Sequence, residues 1–426
     1  MYKIKNHLEV SNDHLTIGGC DSVDLVKQYG SPLFVINENR IRDNLKRYRA
    51  AFPDADMYYA AKANGNLAIM RILALDGAGA DVFSGGELYL AILAGIERKK
   101  ILFNGNSKTD AELTMAIETG VRVSVDSIDE LRTLAALARK MGKTIDVAFR
   151  VNPDVSATTH PKIATGLKSA KFGIPHEEVV EVYREARDIA GVNPVGIHCH
   201  IGSQILDVTP FGHSTARMMD LVEKVSALGI DIEFVDIGSG LGIPYEKGIK
   251  VPTPTDLAAV VLPVFNERCA ALGISPKLIL EPGRYIVGDA VVLLTTVNTM
   301  KAAAKNFVGI DAGFNLLIRP AMYDSYHYVV VANKASEKPA ETYTIAGPIC
   351  ETGDILARDR QLPIIEKGDT VAILDTGAYG FSMASQYNGR PRCAEVLVKD
   401  GVAELVRKAE GIDDILTNQI MPARLL

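Results

Sequence analysis

The segment VGIHCHIGSQILDVTPFGHSTARMMDLVEKVSALGIDIEFVDI, running from Val195 to Ile237, decides the fold. It holds a short apolar, β-rich run (Val195–Cys199), a longer amphipathic stretch (Thr209–Leu228) and a second short apolar run (Glu233–Ile237). Two short strands joined through a helix imply a right-handed βαβ crossover and a parallel pair. The alternation continues in both directions. Upstream lie Met57–Ala61, Asp81–Phe83, Ile101–Phe103, Arg122–Val125 and Asp146–Val151, and downstream Lys277–Leu280, which makes eight predicted strands between Leu33 and Gly283. Helix-like stretches separate them at Asn66–Leu75, Glu87–Leu93, Asp110–Glu118, Ile128–Met141, Glu177–Ala190 and Asp256–Leu272. In the last of these, Leu257, Val260, Val261, Val264, Phe265 and Arg268 keep the three-and-four spacing of one helical face. No comparable helix follows the final strand. Eight such units in roughly 250 residues fit a closed (β/α)8 barrel better than an open doubly wound sheet.

Beyond Gly283 the texture changes. Val291–Val297, Phe307–Ile310, Tyr328–Val331, Thr342–Ala346, Thr370–Leu374 and Cys393–Val398 read as strands separated by Gly, Pro and charged turns. The chain is therefore expected to be α/β, with a barrel over residues 33–285 and a mostly-β C-terminal domain over 286–426. The N-terminal segment 1–32, with a strand at Leu15–Ile17 and a short helix at Ser22–Tyr29, is expected to join the C-terminal domain.

Composition narrows the function. With 426 residues, 47% of them hydrophobic, the chain is long enough for two or three domains with real cores. A net charge of −6 gives a polyanion no attraction, so neither nucleic acid nor an anionic membrane is an expected partner. No run approaches the ~18 apolar residues of a membrane span. Met1–Glu9 is polar and lacks a signal-peptide core, so a cytoplasmic location is expected. Cys20, Cys199, Cys269, Cys350 and Cys393 are scattered and never form C-x-x-C, which argues against a disulfide framework or a zinc site; no metal is expected.

In a (β/α)8 barrel, chemistry sits at the C-terminal ends of the strands. Five predicted strand ends carry suitable residues: Lys62 after the first, Ser84-Gly-Gly-Glu87 after the second, His198-Cys-His200-Ile-Gly-Ser203 after the sixth, Asp236-Ile-Gly238-Ser-Gly240-Leu-Gly242 after the seventh and Glu281-Pro282-Gly283-Arg284 after the eighth. Lys62 among Ala60, Ala61 and Ala63 would be partly desolvated and hence a nucleophile toward a carbonyl carbon, or simply a surface lysine. The Gly238–Gly242 segment can offer backbone N–H groups to a phosphate, or be a tight turn. Ser203 can add a hydroxyl there, or cap a helix. Glu281 can hold a pyridine nitrogen protonated, or pair with Arg284. His200 can stack on a flat ring, or be a satisfied core histidine. Taken jointly on one rim, these are the parts needed for pyridoxal 5′-phosphate.

The motifs YYAAKAN around Lys62, SGGEL at Ser84–Leu88, HCHIGS at His198–Ser203, DIGSGLG at Asp236–Gly242 and EPGR at Glu281–Arg284 resemble the fold-type III pyridoxal-phosphate decarboxylases, which pair an alanine-racemase-like barrel with a C-terminal β domain. DAGFNLLIRPAMY at Asp311–Tyr323, CETGD at Cys350–Asp354 and AYGFSMASQYN at Ala378–Asn388 resemble the diaminopimelate decarboxylase branch. The resemblance implies that Lys62 anchors the cofactor, His200 lies against its ring and Glu281 meets its nitrogen. It also implies that Ser203, Gly238, Gly240 and the segment Glu281, Pro282, Gly283 and Arg284 hold the phosphate region. Arg284, Arg319 and Tyr323 would grip the distal carboxylate of an amino-acid substrate and Glu351 its distal ammonium. Tyr379 would touch cofactor and substrate, and Cys350 would return a proton to the carbon that loses CO2. A homodimer with shared active sites follows from the same resemblance, as does decarboxylation of meso-2,6-diaminopimelate to L-lysine. Other fold-type III decarboxylases and a racemase on the same barrel are the alternatives; a racemase prefers an arginine at the ring nitrogen, where this chain has Glu281. A non-catalytic cofactor-binding module and a lysine-using aldolase explain fewer of these residues. Two departures from the family pattern stand out. Ser239 replaces a glycine of the usual triplet, which it can do only if that position needs no positive φ, and Thr352 replaces a serine.

Overall fold

The computed structural model describes residues 7–156, 165–166, 170–246 and 248–426. Two compact units emerge, one comprising Arg42–Pro244 and Lys250–Ile286, the other Met1–Ile41, Tyr245–Ile249 and Val287–Leu426.

The first unit is the barrel. Its strands are β1 (Asp56–Ala60), β2 (Gly79–Val82), β3 (Ile101–Phe103), β4 (Arg122–Val125), β5 (Ile145–Asn152), β6 (Val192–Cys199), β7 (Phe234–Asp236) and β8 (Lys277–Leu280). Each pairs in parallel with the next, and β8 returns to β1 through Ile279 opposite Asp56 and Leu280 opposite Met57, so the eight strands close on themselves, with a two-residue strand, Ile174–Pro175, added beside the end of β5. Tyr58, Leu102, Ala148 and Phe234, from the four odd-numbered strands, join one buried cluster with Val195 and Ile279. Residues on strands that do not neighbour each other can meet only through the interior, so this is a filled layer rather than a channel. Gly196 makes room for it: a Cβ there would lie 2.2 Å from the Phe234 ring.

The helices start where their sequences carry capping signals. Thr109 with Glu112 and Thr253 with Asp256 form reciprocal capping boxes, and Ser84 and Ser127 accept from the backbone N–H groups of Glu87 and Glu130. Ser84, Thr109 and Ser127 sit within a few residues of the strands before them, so those βα loops stay short, whereas Thr253 follows β7 by a long loop.

The second unit is built on a mixed sheet whose longest strand is Val291–Ala302. Here one expectation needs correcting. The barrel was placed from residue 33, yet Leu33–Asn37 lies in this other sheet, antiparallel to Val291–Leu294 and parallel to Ala394–Val398. All five of its residues are buried, and a strand covered on both faces shows the same unbroken apolar run in either sheet. The N-terminal segment belongs to this unit, with residues 1–6 outside the described region. Leu15, Ile17 and Leu25 pack with Leu33, Val35, Val292 and Val396 in its core. Ile355–Leu362 and Val402–Arg407 complete the sheet as strands that the sequence reading left unassigned.

Candidate active site

The rim begins at β1, where the chain passes into a single 3-10 turn, Ala61–Ala63, that carries Lys62. The lysine ammonium pairs with the fully buried carboxylate of Asp81 at the end of β2 and lies 5.2 Å from the centre of the Phe83 ring. Its setting is therefore defined by a charge as well as by small neighbours. Across the barrel closure, Ala60 N–H donates to Pro282 O at 3.3 Å, and a Cβ on Gly283 would come within 3.0 Å of Ala60 and 3.1 Å of Ala63. Pro282 and Gly283 thus press directly on the lysine turn.

Glu281, at the end of β8, is buried but does not pair with Arg284. Its Oε1 accepts from Asn104 Nδ2 at 2.6 Å, and the same amide donates to Asp81 Oδ1 at 2.6 Å. His198 Nε2 stands 3.5 Å from its other oxygen, and Ser124 Oγ lies 2.9 Å from His198 Nδ1. Asp236 completes the group, with Oδ1 accepting from Gly238 N–H at 2.8 Å. Burial raises Asp81 and, much further, Asp236, where the Glu281 charge adds to the effect. Burial pushes Glu281 the same way, but His198, Lys62 and His200 outweigh it and hold its carboxyl below the ordinary glutamate value. Of three neighbouring carboxyls, Glu281 is the one whose surroundings lower its pKa. His198, Asp236 and Glu281 also place one ligand atom each within 4.8 Å of one another, a grouping that could hold a cation and that the sequence reading did not foresee.

His200 is half-buried, and desolvation pushes its imidazole down to about 3, so the ring is neutral at working pH. Its Nδ1 accepts from Ser239 N–H at 3.4 Å, which leaves the proton on Nε2. Gly238 and Gly240 adopt φ of 65° and 145°. At Gly240 a side chain is excluded twice, because its Cβ would meet Gly202 O at 2.1 Å. Ser239 between them is not among the positive-φ residues, and its Oγ lies 3.0 Å from Tyr48 OH. The serine is thus accommodated, its hydroxyl paired in the interior. Arg284 is buried, with Nε and Nη2 at 3.3 and 3.1 Å from Ser203 Oγ. Ser203 caps no helix; the next one begins at Thr209.

The barrel unit therefore brings together Lys62, His200, Ser203, Gly238, Gly240, Glu281, Pro282, Gly283 and Arg284 on one set of strand ends. These groups suit pyridoxal 5′-phosphate. A lysine suits a carbonyl carbon, a neutral imidazole a flat ring, and a buried anion a protonated pyridine nitrogen. A hydroxyl and guanidinium beside a turn with glycine at both flanks of Ser239 suit a phosphate.

The other expected residues lie in the second unit, in separate groups. Arg319 is buried on the short helix Arg319–Tyr323, its Nη1 3.0 Å from His327 Nε2 and its guanidinium 4.4 Å from the centre of the Tyr245 ring. His327 Nδ1 is 2.9 Å from Leu374 O, and a carbonyl cannot donate, so Nδ1 carries the proton and Nε2 accepts from Arg319. Tyr323 ends the same helix, half-buried. Cys350 and Glu351 are exposed, yet firmly held. Asn388 accepts from Cys350 N–H at 2.9 Å while its amide donates to Sγ at 3.3 Å, and Tyr387 OH donates to Glu351 Oε1 at 2.8 Å. Hydrogen bonding to Glu351 pushes the Tyr387 phenol up to about 12, so it remains a donor. Tyr379 takes φ of 59°, a left-handed backbone that is rare for a bulky residue. The sequence reading assigned no role to Asp81, Asn104, Ser124, Asp236, His327, Tyr387 or Asn388. Several sat inside quoted motifs, which was the only available signal.

Comparison with known proteins follows this geometry. Residues 38–288 match the pyridoxal-binding domain of the pyridoxal-dependent decarboxylases. The diaminopimelate decarboxylase of Archaeoglobus fulgidus is 55% identical over 98% of this chain and 99% of its own length. That of Methanothermobacter thermautotrophicus is 48% identical over 97% of each. The crystal structure of the M. jannaschii diaminopimelate decarboxylase in complex with L-lysine is 43% identical, covers 99% of both chains and superposes with a TM-score of 0.94. With rim, fold and full-length similarity in agreement, this chain belongs to the diaminopimelate decarboxylase family of pyridoxal-dependent decarboxylases.

Proposed function

We propose that this protein decarboxylates meso-2,6-diaminopimelate to L-lysine and CO2, the last step of lysine biosynthesis, with pyridoxal 5′-phosphate as cofactor. The reading draws on relatives of that name at 43–55% identity over nearly the whole chain. The observation that carries the chemistry is the buried anionic Glu281 on the same rim as Lys62 and neutral His200. When bound, the cofactor supplies a conjugated ring that accepts the electron pair left as CO2 departs.

The chain's own residues do the rest. Lys62 is the covalent anchor, and its pairing with Asp81 gives the amine a fixed place. His200 supports one face of the ring, Glu281 holds a proton at its nitrogen, and Ser203, Arg284 and the turn from Gly238 to Gly240 hold the phosphate. Arg319, Arg284 and Tyr323 read the distal carboxylate, because a planar guanidinium binds one through two N–H groups. Glu351 reads the distal ammonium, steadied by Tyr387. Tyr379 contacts both cofactor and substrate. These contacts would fix the D-configured centre so that its carboxylate is the one placed to depart as CO2. Cys350 Sγ then returns a proton to that carbon. Since Cys350 and Glu351 are exposed on their own chain, each serves the site of a second copy, and the working form in the cytoplasm is a homodimer with shared active sites.

The test is CO2 release from meso-diaminopimelate, ornithine, arginine and lysine offered separately to the cofactor-loaded protein. Lysine and CO2 from diaminopimelate alone support the reading; turnover of ornithine or arginine instead would overturn the substrate. Lys62→Ala is expected to abolish both turnover and the visible absorbance of bound cofactor, and a variant retaining normal turnover would remove Lys62 from this role.

A further inference from the structure

The Glu281 carboxylate is surrounded by more polar structure than a simple contact with a cofactor requires. Behind it stand two fully buried side chains to which the mechanism above gives no part, Ser124 and His198. The hydroxyl of Ser124 lies 2.9 Å from His198 Nδ1. The far nitrogen of that ring, Nε2, has no conventional hydrogen-bond partner among the described residues and stands 3.5 Å from Glu281 Oε2. Asp236 completes the group, with one carboxyl oxygen within 4.8 Å of the others and its Oδ2 without a hydrogen-bond partner among the described residues.

Where the proton sits on His198 follows from these neighbours. Were Nδ1 to donate to Ser124, the lone pair of Nε2 would face the lone pairs of a buried anionic carboxylate, which is repulsive. With Ser124 donating to Nδ1, Nε2 carries a hydrogen and presents it to Glu281. The doubly protonated ring does the same. In every favourable state the hydrogen on Nε2 points to the carboxylate. Asn104 meanwhile donates to Oε1 at 2.6 Å, so each oxygen of Glu281 has its own donor, from β3 on one side and from β6 on the other.

We infer that Ser124 and His198 form a positioning relay that fixes the Glu281 carboxylate as the acceptor for the cofactor's ring nitrogen, with Asn104 as its counterpart on the second oxygen. This deepens the functional reading above and rests on it. His198 touches neither cofactor nor substrate in this scheme; it acts through Glu281. Losing it leaves Glu281 free to turn toward Asp236 or to take up a proton, and either change weakens the electron sink while leaving the substrate-recognition groups alone.

Three variants test the relay in the cofactor-loaded enzyme: His198→Leu, which removes the donor at similar bulk, His198→Gln, whose amide can reach the Nε2 position, and Ser124→Ala. Each is read by the visible spectrum of bound cofactor, by the cofactor dissociation constant and by kcat and KM. A hydrogen bond to a buried charge is typically worth tenfold or more. His198→Leu is therefore expected to lower kcat about tenfold or more, leave KM within about twofold and shift the cofactor spectrum, whereas His198→Gln recovers most of both. Ser124→Ala should fall between them. A His198→Leu enzyme with unchanged kcat and spectrum would overturn the proposal. So would Leu and Gln variants impaired alike, since that marks ring shape rather than the donor. If His198→Leu does not fold, Ser124→Ala decides, because it deletes one oxygen only; an unaltered spectrum and kcat there rejects the relay. Stoichiometric transition metal in the purified holoenzyme, lost in His198→Leu, would reassign the cluster as a metal site. Should the wild type bind cofactor yet leave diaminopimelate untouched, the functional reading falls, while the spectral comparison still judges the relay.

Discussion

A histidine held neutral by its surroundings leaves a mark on stability as well as on chemistry. His200 is pushed down to about 3 by burial and by the Lys62 charge, whereas an unfolded histidine takes up its proton near 6.5. Between those values the unfolded chain binds the proton and the folded chain does not, so His200 makes stability fall as pH drops from about 6.5 toward 3. The effect is bounded at roughly 5 kcal/mol and is smaller for a ring that is only half-buried. His200→Asn is expected to flatten this part of the urea-stability profile relative to wild type, and parallel profiles between pH 6.5 and 4.5 would contradict it. At this scale much of the site was legible, because Lys62, His200, Ser203, Glu281 and Arg284 sit in short motifs at strand ends, a place where polar residues have few other reasons to gather. Their supports were not. Asn104 sits 177 residues from Glu281, and Ser124 sits 74 from His198. No local pattern announces a partner brought in by barrel closure.

Among the elements, the turn after β7 is the least tolerant. Gly240→Ala would drive a Cβ against Gly202 O at 2.1 Å in a conformation that disfavours any side chain. It is expected to weaken cofactor binding about tenfold and cost about 1–3 kcal/mol of stability, measured by cofactor titration and urea unfolding. Ser239→Gly, by contrast, loses only the Tyr48 pairing and should leave the cofactor dissociation constant nearly unchanged. The short helix Arg319–Tyr323 makes a similar case. His327→Phe removes the acceptor for Arg319 and strands the Leu374 carbonyl, so KM for diaminopimelate is expected to rise about tenfold with kcat little altered. A fall in kcat at constant KM would place His327 in the chemical step instead. The barrel strands and helices were readable because period and caps agree along each βα unit. Leu33–Asn37 fell inside the bounds expected for the barrel, although it is none of the eight predicted strands, because an apolar run reports burial, not partners. Ile355–Leu362 escaped because its centre, Arg358-Asp-Arg360, is too polar to read as a strand.

At the scale of the whole molecule, the proposed dimer can be tested through one exposed cluster. Cys350, Glu351, Tyr387 and Asn388 are ordered by mutual hydrogen bonds although all four are exposed, an investment suited to a surface that meets another. If they complete a neighbouring site, Lys62→Ala and Cys350→Ala proteins, each inactive alone, should regain roughly a quarter of wild-type activity when mixed, because half of the random pairs are hybrids and each hybrid has one intact site. No recovery after verified exchange would assign both residues to the same chain's site.

The strand Leu33–Asn37 also bears on how the protein is made. It leaves the ribosome well before its two neighbours in the sheet, Val291–Ala302 and Ala394–Lys399. At ~5–20 residues per second, that apolar strand waits tens of seconds for its second partner while the entire barrel is translated in between. During that interval its unpaired backbone groups are open to pairing with another polypeptide. Moving residues 1–41 to follow Leu426 in a permuted gene would bring the strand out beside its partners and shorten the wait to seconds.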